Sequence, residues 1–218
     1  MTGDPGPGRL VRRALAYELG MWRSLARWVL RRGADVGPGG VPFGYVRTVG
    51  PAHWTFIGVS AVEVPILHFL VPWDAVRTAA LAVGLYGLLW MIGVLAGLTV
   101  HPHVVDGTGL RIRHGSTVEF LVPWADIAAV RSRRRSLEGM RTLQVHGESP
   151  DRVLSVAVSN QTTVDVVLAR PLPLLSPRGD AEPVTAVRLH ADDHAALVRH
   201  LRQGLTARQA DEGERAAR

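Results

Sequence analysis

The chain has 218 residues, a formal net charge of +6 and no cysteine. Without cysteine it can form no disulfide framework, no thiolate metal site and no cysteine nucleophile. Apolar residues make up 47% of the chain, but residues 51–100 are almost free of charge, whereas both flanking regions are charged and rich in proline and glycine.

The basic excess lies before the apolar region. Residues 1–50 contain eight arginines and three acidic residues, a net charge of +5, whereas residues 51–100 carry −1 and residues 101–218 carry +2. Every one of the 25 basic residues is arginine, which is typical of a GC-rich bacterial genome. A basic chain can bind nucleic acid, but a soluble nucleic-acid-binding protein has no reason to concentrate its charge beside an apolar segment. We therefore do not expect nucleic acid to be a partner.

Two segments are long enough to cross a bilayer. A helix rises about 1.5 Å per residue, so roughly 20 apolar residues cross a hydrocarbon core of about 30 Å. Residues 52–72 carry one formal charge, Glu63, and residues 78–100 carry none. Core helices of soluble proteins usually keep a polar stripe, which the second segment lacks. The sequence therefore predicts a transmembrane hairpin over residues 51–100.

The arginine distribution predicts the orientation of this hairpin. Eight arginines precede the first span, Arg77 alone lies in the short loop, and Arg111 and Arg113 follow the second span. Because cytoplasmic flanks are enriched in basic residues, we expect both termini in the cytoplasm and a two-pass protein of the plasma membrane. Four glycines also give the second span a small-residue surface for close helix packing, namely Gly84, Gly87, Gly93 and Gly97.

Residues 9–32 have helical periodicity and precede a glycine-rich linker, so residues 1–50 form an N-terminal segment of their own. Six arginines fall within about 100° of one helix face, whereas Trp22 and Trp28 lie on the apolar side. This profile is typical of a helix in the headgroup plane. The alternative is a helix packed on the cytoplasmic domain with a solvated basic face. The residues expected to contact anionic headgroups are Arg12, Arg23, Arg27 and Arg31.

After residue 100 the periodicity changes from helical to two. Alternating apolar residues predict seven antiparallel strands, near residues 109–114, 117–122, 127–132, 141–146, 153–158, 163–169 and 184–190. Residues 171–183 are rich in proline and predict a long loop before the last strand. Asp192 is a suitable N-cap for a final helix with apolar residues Leu197, Leu201 and Leu205, which Gly204 weakens near its end. We expect this domain over residues 101–206 and a disordered tail over 207–218.

Two short motifs carry a resemblance. Gly109–Arg113 reads Gly-Leu-Arg-Ile-Arg, and residues 123–127 read Pro-Trp-Ala-Asp-Ile. Together with the order of seven strands and one helix, they resemble bacterial pleckstrin-homology (PH)-like domains that follow two transmembrane helices. The resemblance covers about residues 50–205. It implies an α+β fold, in which a transmembrane hairpin precedes a seven-stranded antiparallel PH-like sandwich or barrel with a C-terminal helix.

Glu63 is the most unusual residue of the predicted spans. A charged carboxylate near mid-bilayer is costly, so it should be protonated or partnered. Counting back from the loop places it level with Tyr86 and Trp90, its expected partners. It could serve as a proton relay, an ion site or a polar contact between subunits, or simply form a hydrogen bond within the hairpin.

His68 lies roughly 140° round the helix from Glu63, so we expect no metal site there.

A second basic cluster lies at a strand end of the predicted domain. PH domains often bind phosphoinositide headgroups through basic residues in strand loops, which is one interpretation of this cluster. Bacterial PH-like domains share the fold without an established headgroup role, so the resemblance alone does not assign that role. The simpler interpretation is a solvated loop facing an anionic membrane. The cluster consists of Arg131, Arg133, Arg134 and Arg135.

The sequence contains no nucleophile elbow, P-loop, dinucleotide fingerprint or zinc-protease motif, so we predict no catalytic residue, metal or cofactor. We expect a non-enzymatic integral membrane protein that presents a cytoplasmic PH-like domain for protein or lipid binding. Its expected partners are anionic membrane lipids, a second copy of the chain or an unidentified membrane protein. One alternative is a small transport or proton-relay subunit that uses Glu63. A second is a nucleic-acid-binding regulator tethered to the membrane.

Overall fold

The computed structural model describes residues 7–139, 141–148, 150–175 and 181–216. These residues form a helical unit (up to Ala34, Val49–His101 and Gly115–Thr117) and a β unit (Asp35–Thr48, Pro102–His114 and from Val118 onward). The elements, in chain order, are α1 Pro7–Val29, β1 Val41–Phe43, α2 Gly50–Leu70, α3 Asp74–Val100, β2 His103–Val105, β3 Gly109–His114, β4 Val118–Pro123, β5 Ile127–Ser136, β6 Leu143–His146, β7 Val153–Val156, β8 Gln161–Leu175, β9 Ala181–Leu189 and α4 His194–Ala216.

Helices α2 and α3 correspond to the two predicted spans, and both are long and apolar enough to cross a membrane. Helix α3 begins earlier than predicted, at Asp74, whose carboxylate suits the positive end of a helix. Many large apolar side chains of both helices are exposed, including Phe69 at 84%, Leu70 at 73% and Val83 at 72%. A core helix of a soluble protein would bury such residues.

Three of the four glycines of α3 face a neighbouring helix, whereas no atom lies within 4 Å of a methyl group added at the fourth, Gly87. A methyl group added at Gly84 would lie 2.6 Å from Val64 of α2, and one added at Gly93 would lie 2.9 Å from Met21 of α1. The rings of Tyr17 and Trp90 are 6.4 Å apart. Helix α1 therefore packs lengthwise on α3, an arrangement that neither interpretation of the N-terminal helix included.

Helix α1 ends at Val29, three residues before the predicted end. Arg31 has a φ of 50°, in the left-handed region that closes many helices. The N–H of Arg32 donates to Arg27 O at 2.9 Å, and the N–H of Arg31 donates to Trp28 O at 3.0 Å. These two bonds form a Schellman motif, which turns the chain back toward the last turn of the helix.

The β unit contains two sheets, with strand orders β1-β2-β3-β4 and β5-β8-β9-β7-β6. All seven predicted strands are present, but the described residues also include β1 and β2, so the predicted number of strands was too low. These two strands have only three residues each, too few for an alternating pattern to be recognised. The prediction of a wholly antiparallel structure is also corrected, because β7 pairs with β9 in parallel.

The proline-rich segment continues β8 and β9 instead of forming the long loop predicted over residues 171–183. Leu172 pairs with Val184, and Pro173 lies directly opposite Pro183. Neither proline has a backbone N–H to donate, so the two residues fit only as a pair that exchanges no backbone hydrogen bonds within the ladder. Beyond residue 168, β9 is the only strand among the described residues that pairs with β8. Prolines are tolerated where one strand edge has no neighbour. Residues 176–180 lie outside the described residues.

The core of the β unit is formed by both sheets and α4. This core fully buries Leu110 of β3, Val164 of β8, and Leu197 and Leu201 of α4. The predicted apolar side of the last helix is therefore confirmed, with Leu205 partly buried against the same core.

Two details of α4 differ from the prediction. Its cap is Asp193, whose carboxylate accepts the N–H of Ala196 at 2.9 Å, whereas the carboxylate of Asp192 accepts the N–H of Arg47 at 3.1 Å. The helix also continues through Ala216, over most of the segment that we expected to be a disordered tail. Arg208 contributes to this extension, because it donates to Gly107 O at 2.6 Å.

Candidate functional site

The polar residues predicted inside the spans do not form one site around Glu63. Glu63 is exposed on α2, and within the described residues no hydrogen bond or ion pair involves it. Its expected partner Tyr86 instead donates to Glu18 Oε1 of α1 at 2.9 Å. Trp90, the other expected partner, packs its ring against Tyr17. The structure therefore places a different carboxylate at Tyr86.

Glu18 is the polar centre between α1 and α3. Its Oε1 accepts the hydroxyl of Tyr86, and its Oε2 accepts the indole N–H of Trp22 at 3.0 Å. In the sequence alone, Glu18 is only one of three acidic charges in residues 1–50. The available signal was a lone acidic residue in a basic helix, one turn before a tryptophan that can donate to it.

His68 lies near the end of α2, where its ring contacts the edge of Phe69 at a centroid distance of 5.7 Å. Its Nδ1 is buried and has no hydrogen-bond partner among the described residues. Among the residues that the structure describes, no group of three or more His, Asp or Glu side chains could hold a metal ion. The structure does not bring His68 to Glu63 in any polar contact.

Helix α1 has three distinct sides. Met21 and Ser24 are buried where the helix packs on α3. Three apolar residues spaced four apart form an exposed stripe, each 58% exposed, at Val11, Leu15 and Leu19. Three of the four predicted headgroup contacts are also exposed, namely Arg12, Arg23 and Arg31. The fourth, Arg27, is half-buried, and its guanidinium donates to Gly33 O at 3.2 Å. The helix thus presents an apolar surface and a row of cations together.

The basic cluster of β5 is organised around one acidic residue, Asp165 of β8. Its side chain is 12% exposed and accepts two hydrogen bonds from the Arg135 guanidinium, at 3.3 and 3.2 Å. Asp165 pairs across the sheet with Arg131 on one side and with Arg188 of β9 on the other. The Arg188 guanidinium also lies 3.6 Å from the second carboxylate oxygen. One carboxylate therefore joins three strands, a relationship that the separate strand patterns could not reveal.

Arg131, Arg133 and Arg134 remain exposed on β5, so cations are still available to an external anion. The register shifts between Ser132 and Arg135, which places a bulge within the cluster. Burial lowers the pKa of the nearby Arg188 guanidinium, and the Arg135 charge adds to this effect, whereas Asp165 opposes it. A neighbouring anion would relieve the repulsion among these arginines.

Three histidines and one tyrosine form a polar group in the β unit, in which His103, His190 and Tyr45 are buried and His114 is half-buried. His103 accepts the backbone N–H of Arg113 at Nδ1, at 3.1 Å, and donates from Nε2 to His190 O at 2.9 Å. The ring of Tyr45 stacks on His114 at 5.4 Å and lies 4.8 Å from the His103 ring. Burial lowers the pKa of both His103 and His114 to about 4, so both rings are neutral at physiological pH.

On β5, three exposed arginines lie beside a fourth, Arg135, whose guanidinium donates to Asp165. Exposed guanidinium groups can form charge-assisted hydrogen bonds with anionic groups. No protein-family model matches the chain, and comparison with curated proteins and with solved structures found no match.

Proposed function

We propose that the chain is a non-enzymatic integral membrane protein of the bacterial plasma membrane, whose β unit is a PH-like cytoplasmic domain that binds lipid or protein. Helices α2 and α3 form its anchor, as a two-pass hairpin. The observation that carries this proposal is the exposure of large apolar side chains along both helices, such as Phe56 at 67% and Val83 at 72%. Transfer of each such side chain into hydrocarbon is favourable by about 1.5–3 kcal/mol.

Both termini are proposed to lie in the cytoplasm. The support is the excess of arginine before α2 and after α3, set against Arg77 alone in the loop. The PH-like assignment of the β unit is supported by the order of its strands and final helix, and by the motifs at Gly109–Arg113 and residues 123–127.

The proposed ligands are anionic headgroups. Exposed arginines support this choice on α1, where they lie beside the apolar stripe, and on β5, where Arg131, Arg133 and Arg134 surround the bulge. Each arginine near an anionic leaflet contributes roughly 1 kcal/mol to attraction. A second copy of the chain or another membrane protein would be an additional partner of the exposed helix surfaces.

Cysteine labelling tests the membrane arrangement directly, because the chain has no native cysteine. Asp74→Cys should react with a membrane-impermeant maleimide in intact cells, since its side chain is 85% exposed in the hairpin loop. Glu148→Cys, in an exposed turn of the β unit, should react only after the cells are permeabilised. Labelling of Glu148→Cys in intact cells, or loss of the chain from membranes at alkaline pH, would contradict the proposal.

We propose a second function for Glu63, proton or ion movement or a polar contact between subunits. The observation that favours it is an exposed carboxylate on an apolar helix with no partner among the described residues. Glu63→Gln should leave the thermal unfolding temperature unchanged and abolish proton flux in vesicles or the formation of oligomers. Glu148→Gln is the matched control, and equal behaviour of both variants would remove this second proposal.

A further inference from the structure

A groove of about 750 Å³ runs between α4 and strand β5. Ser132 lines it from β5, whereas Ala195, Val198, Arg199 and Arg202 are among the residues that line it from α4. None of the described residues that line the groove is acidic. All of them belong to the β unit, and the volume lies within the range of small-ligand sites, about 300–1,000 Å³.

Strand β5 offers an open edge beside this groove. It lies at one end of the five-stranded sheet, and among the described residues only β8 pairs with it. The Val130 carbonyl is directed to the other edge, where it accepts two hydrogen bonds from the Arg202 guanidinium, at 3.2 and 3.0 Å. Both backbone groups of a residue point to one edge, and the direction alternates along an antiparallel strand. Ser132, two residues on in an unbroken register, therefore turns its N–H and C=O to the open edge.

The two faces beside this edge differ in chemistry. A strand added here would present its side chains alternately to one face and to the other. On the groove side the floor is apolar, because it is formed by Ala195 and by Val198, which is 5% exposed. On the opposite side lies Arg131, followed by exposed Arg133 and Arg134 at the bulge. One face thus suits apolar side chains and the other suits carboxylates.

We propose that β5 and the groove bind an extended segment of another protein, in which acidic residues alternate with apolar ones, as an additional strand of the sheet. The choice of a protein partner for the β unit rests on the proposed function. Backbone groups of Ser132 exchange hydrogen bonds with the segment, its apolar side chains cover Val198, and its carboxylates meet Arg131 and the arginines after it.

The charge of β5 excludes a second copy of the chain as the added strand. Two β5 strands paired with each other would bring Arg131, Arg133 and Arg134 of both copies close together. Like charges opposite one another destabilise a pair of strands, and charged side chains on an edge prevent such self-pairing. The same arginines attract an acidic segment, so charge complementarity favours one partner and disfavours the other.

Fluorescence anisotropy with the full chain in neutral detergent tests the groove. The probe is a labelled peptide in which four glutamates alternate with three valines, and it should bind. The same peptide with lysine in place of glutamate should not bind, and its binding with equal Kd would overturn the acidic assignment.

Two variants of α4 locate the bound peptide. Ala195→Glu places a carboxylate on the apolar floor and should weaken binding of the acidic peptide tenfold or more. Its position in the first turn of α4 suits a carboxylate, so the unfolding temperature should not fall. Ala210→Glu is the matched control, because it adds the same charge at an exposed position of α4 outside the groove. It should change the Kd less than twofold, and equal losses in both variants would overturn the groove.

Modified peptides test strand addition while the protein stays unchanged. Alternate N–H groups of an added strand point to β5, and the others point away. N-methylation at the three valines, or at three of the glutamates, should therefore have unequal effects. One set should weaken binding tenfold or more and the other less than threefold. Equal losses for the two sets would overturn the added strand.

Dioctanoyl phosphatidylglycerol separates a peptide site from a lipid site. It should bind the two alanine variants equally, because the headgroup contacts proposed on α1 and β5 do not include the groove floor. A tenfold loss of phosphatidylglycerol binding in Ala195→Glu alone would make the groove a lipid site and overturn the peptide assignment. If phosphatidylglycerol bound neither variant while the acidic peptide still bound the parent, the headgroup proposal would fail and the groove would stand.

Discussion

The indole ring of Trp124 lies directly against the backbone of α4 at Gly204. A methyl group added at Gly204 would be 2.5 Å from Cη2 of Trp124. The same ring donates from Nε1 to Asp106 O at 2.9 Å, and the Arg208 guanidinium lies 5.1 Å from its centroid. Gly204, which as a residue type weakens a helix, is therefore the position that lets α4 approach this tryptophan.

Gly204→Ala should destabilise the chain even though alanine is the better helix former. The gain in helix propensity is about 1 kcal/mol, whereas forcing a methyl group into a filled contact costs about 1–3 kcal/mol. Gly213→Ala is the matched control in the same helix, because no atom lies within 4 Å of a methyl group added there. Thermal unfolding of the purified full chain should show a lower unfolding temperature for the first variant and an equal or higher one for the second.

Leu201→Asp should unfold the β unit. Leu201 is 0% exposed, so the new carboxylate would be buried among apolar side chains without a partner. The cost is several kcal/mol, comparable to the whole stability of a marginally stable small domain, which is about 5 kcal/mol. Gln203→Asp, at an exposed position two residues along, is the control and should change the unfolding temperature little. If limited proteolysis cleaves both variants at the same rate, Leu201 does not hold α4 to the sheets.

The stability of the β unit should fall between pH 6.5 and pH 4. The pKa of His103 is lowered from 6.5 to about 4 by burial, so the unfolded chain binds a proton in this range before the folded chain does. Stability is therefore fully present above about pH 6.5 and decreases as the pH falls toward the folded pKa, by about 3 kcal/mol for His103 alone. Burial lowers the pKa of His114 to about 4 as well, and that of His190 in the same direction.

Urea unfolding at several pH values measures this dependence. His103→Gln can still donate to His190 O but cannot titrate, so its unfolding free energy should change less between pH 7 and pH 5 than that of the parent. The same slope in both proteins would show that His103 is not responsible.

Helix α1 should be held on α3 by a contact that a disulfide can capture. The Cβ atom of Ser24 is 3.8 Å from a Cβ atom built at Gly97, a separation typical of disulfides. Since the chain has no native cysteine, the variant with Ser24→Cys and Gly97→Cys should form one intrachain bond on mild oxidation, visible as a loss of two titratable thiols. The control pairs Ser24→Cys with Gly87→Cys, because no atom lies within 4 Å of a Cβ atom built at Gly87. Equal oxidation of both variants would contradict the packing of α1 on α3.

The sequence by itself determined the elements whose signal is local. An apolar run of about 20 residues predicts a membrane-length helix, and this sufficed for α2 and α3. Alternation of apolar and polar residues located the seven longer strands, and the spacing of Leu197 and Leu201 identified the buried side of α4. These patterns are readable because backbone geometry alone sets the helical period of 3.6 and the strand period of 2.

Only the tertiary structure decided which distant residues meet. Residues far apart in sequence meet in three places: in the parallel pairing of β7 with β9, in the contact of Glu18 with Tyr86, and where Gly204 lies against Trp124. The N–H of Arg32 reaches Arg27 O because a left-handed residue turns the chain at the end of α1, and no periodic pattern encodes that turn. Such contacts depend on the packing of whole elements against one another, so they are determined by the complete fold and not by any single segment.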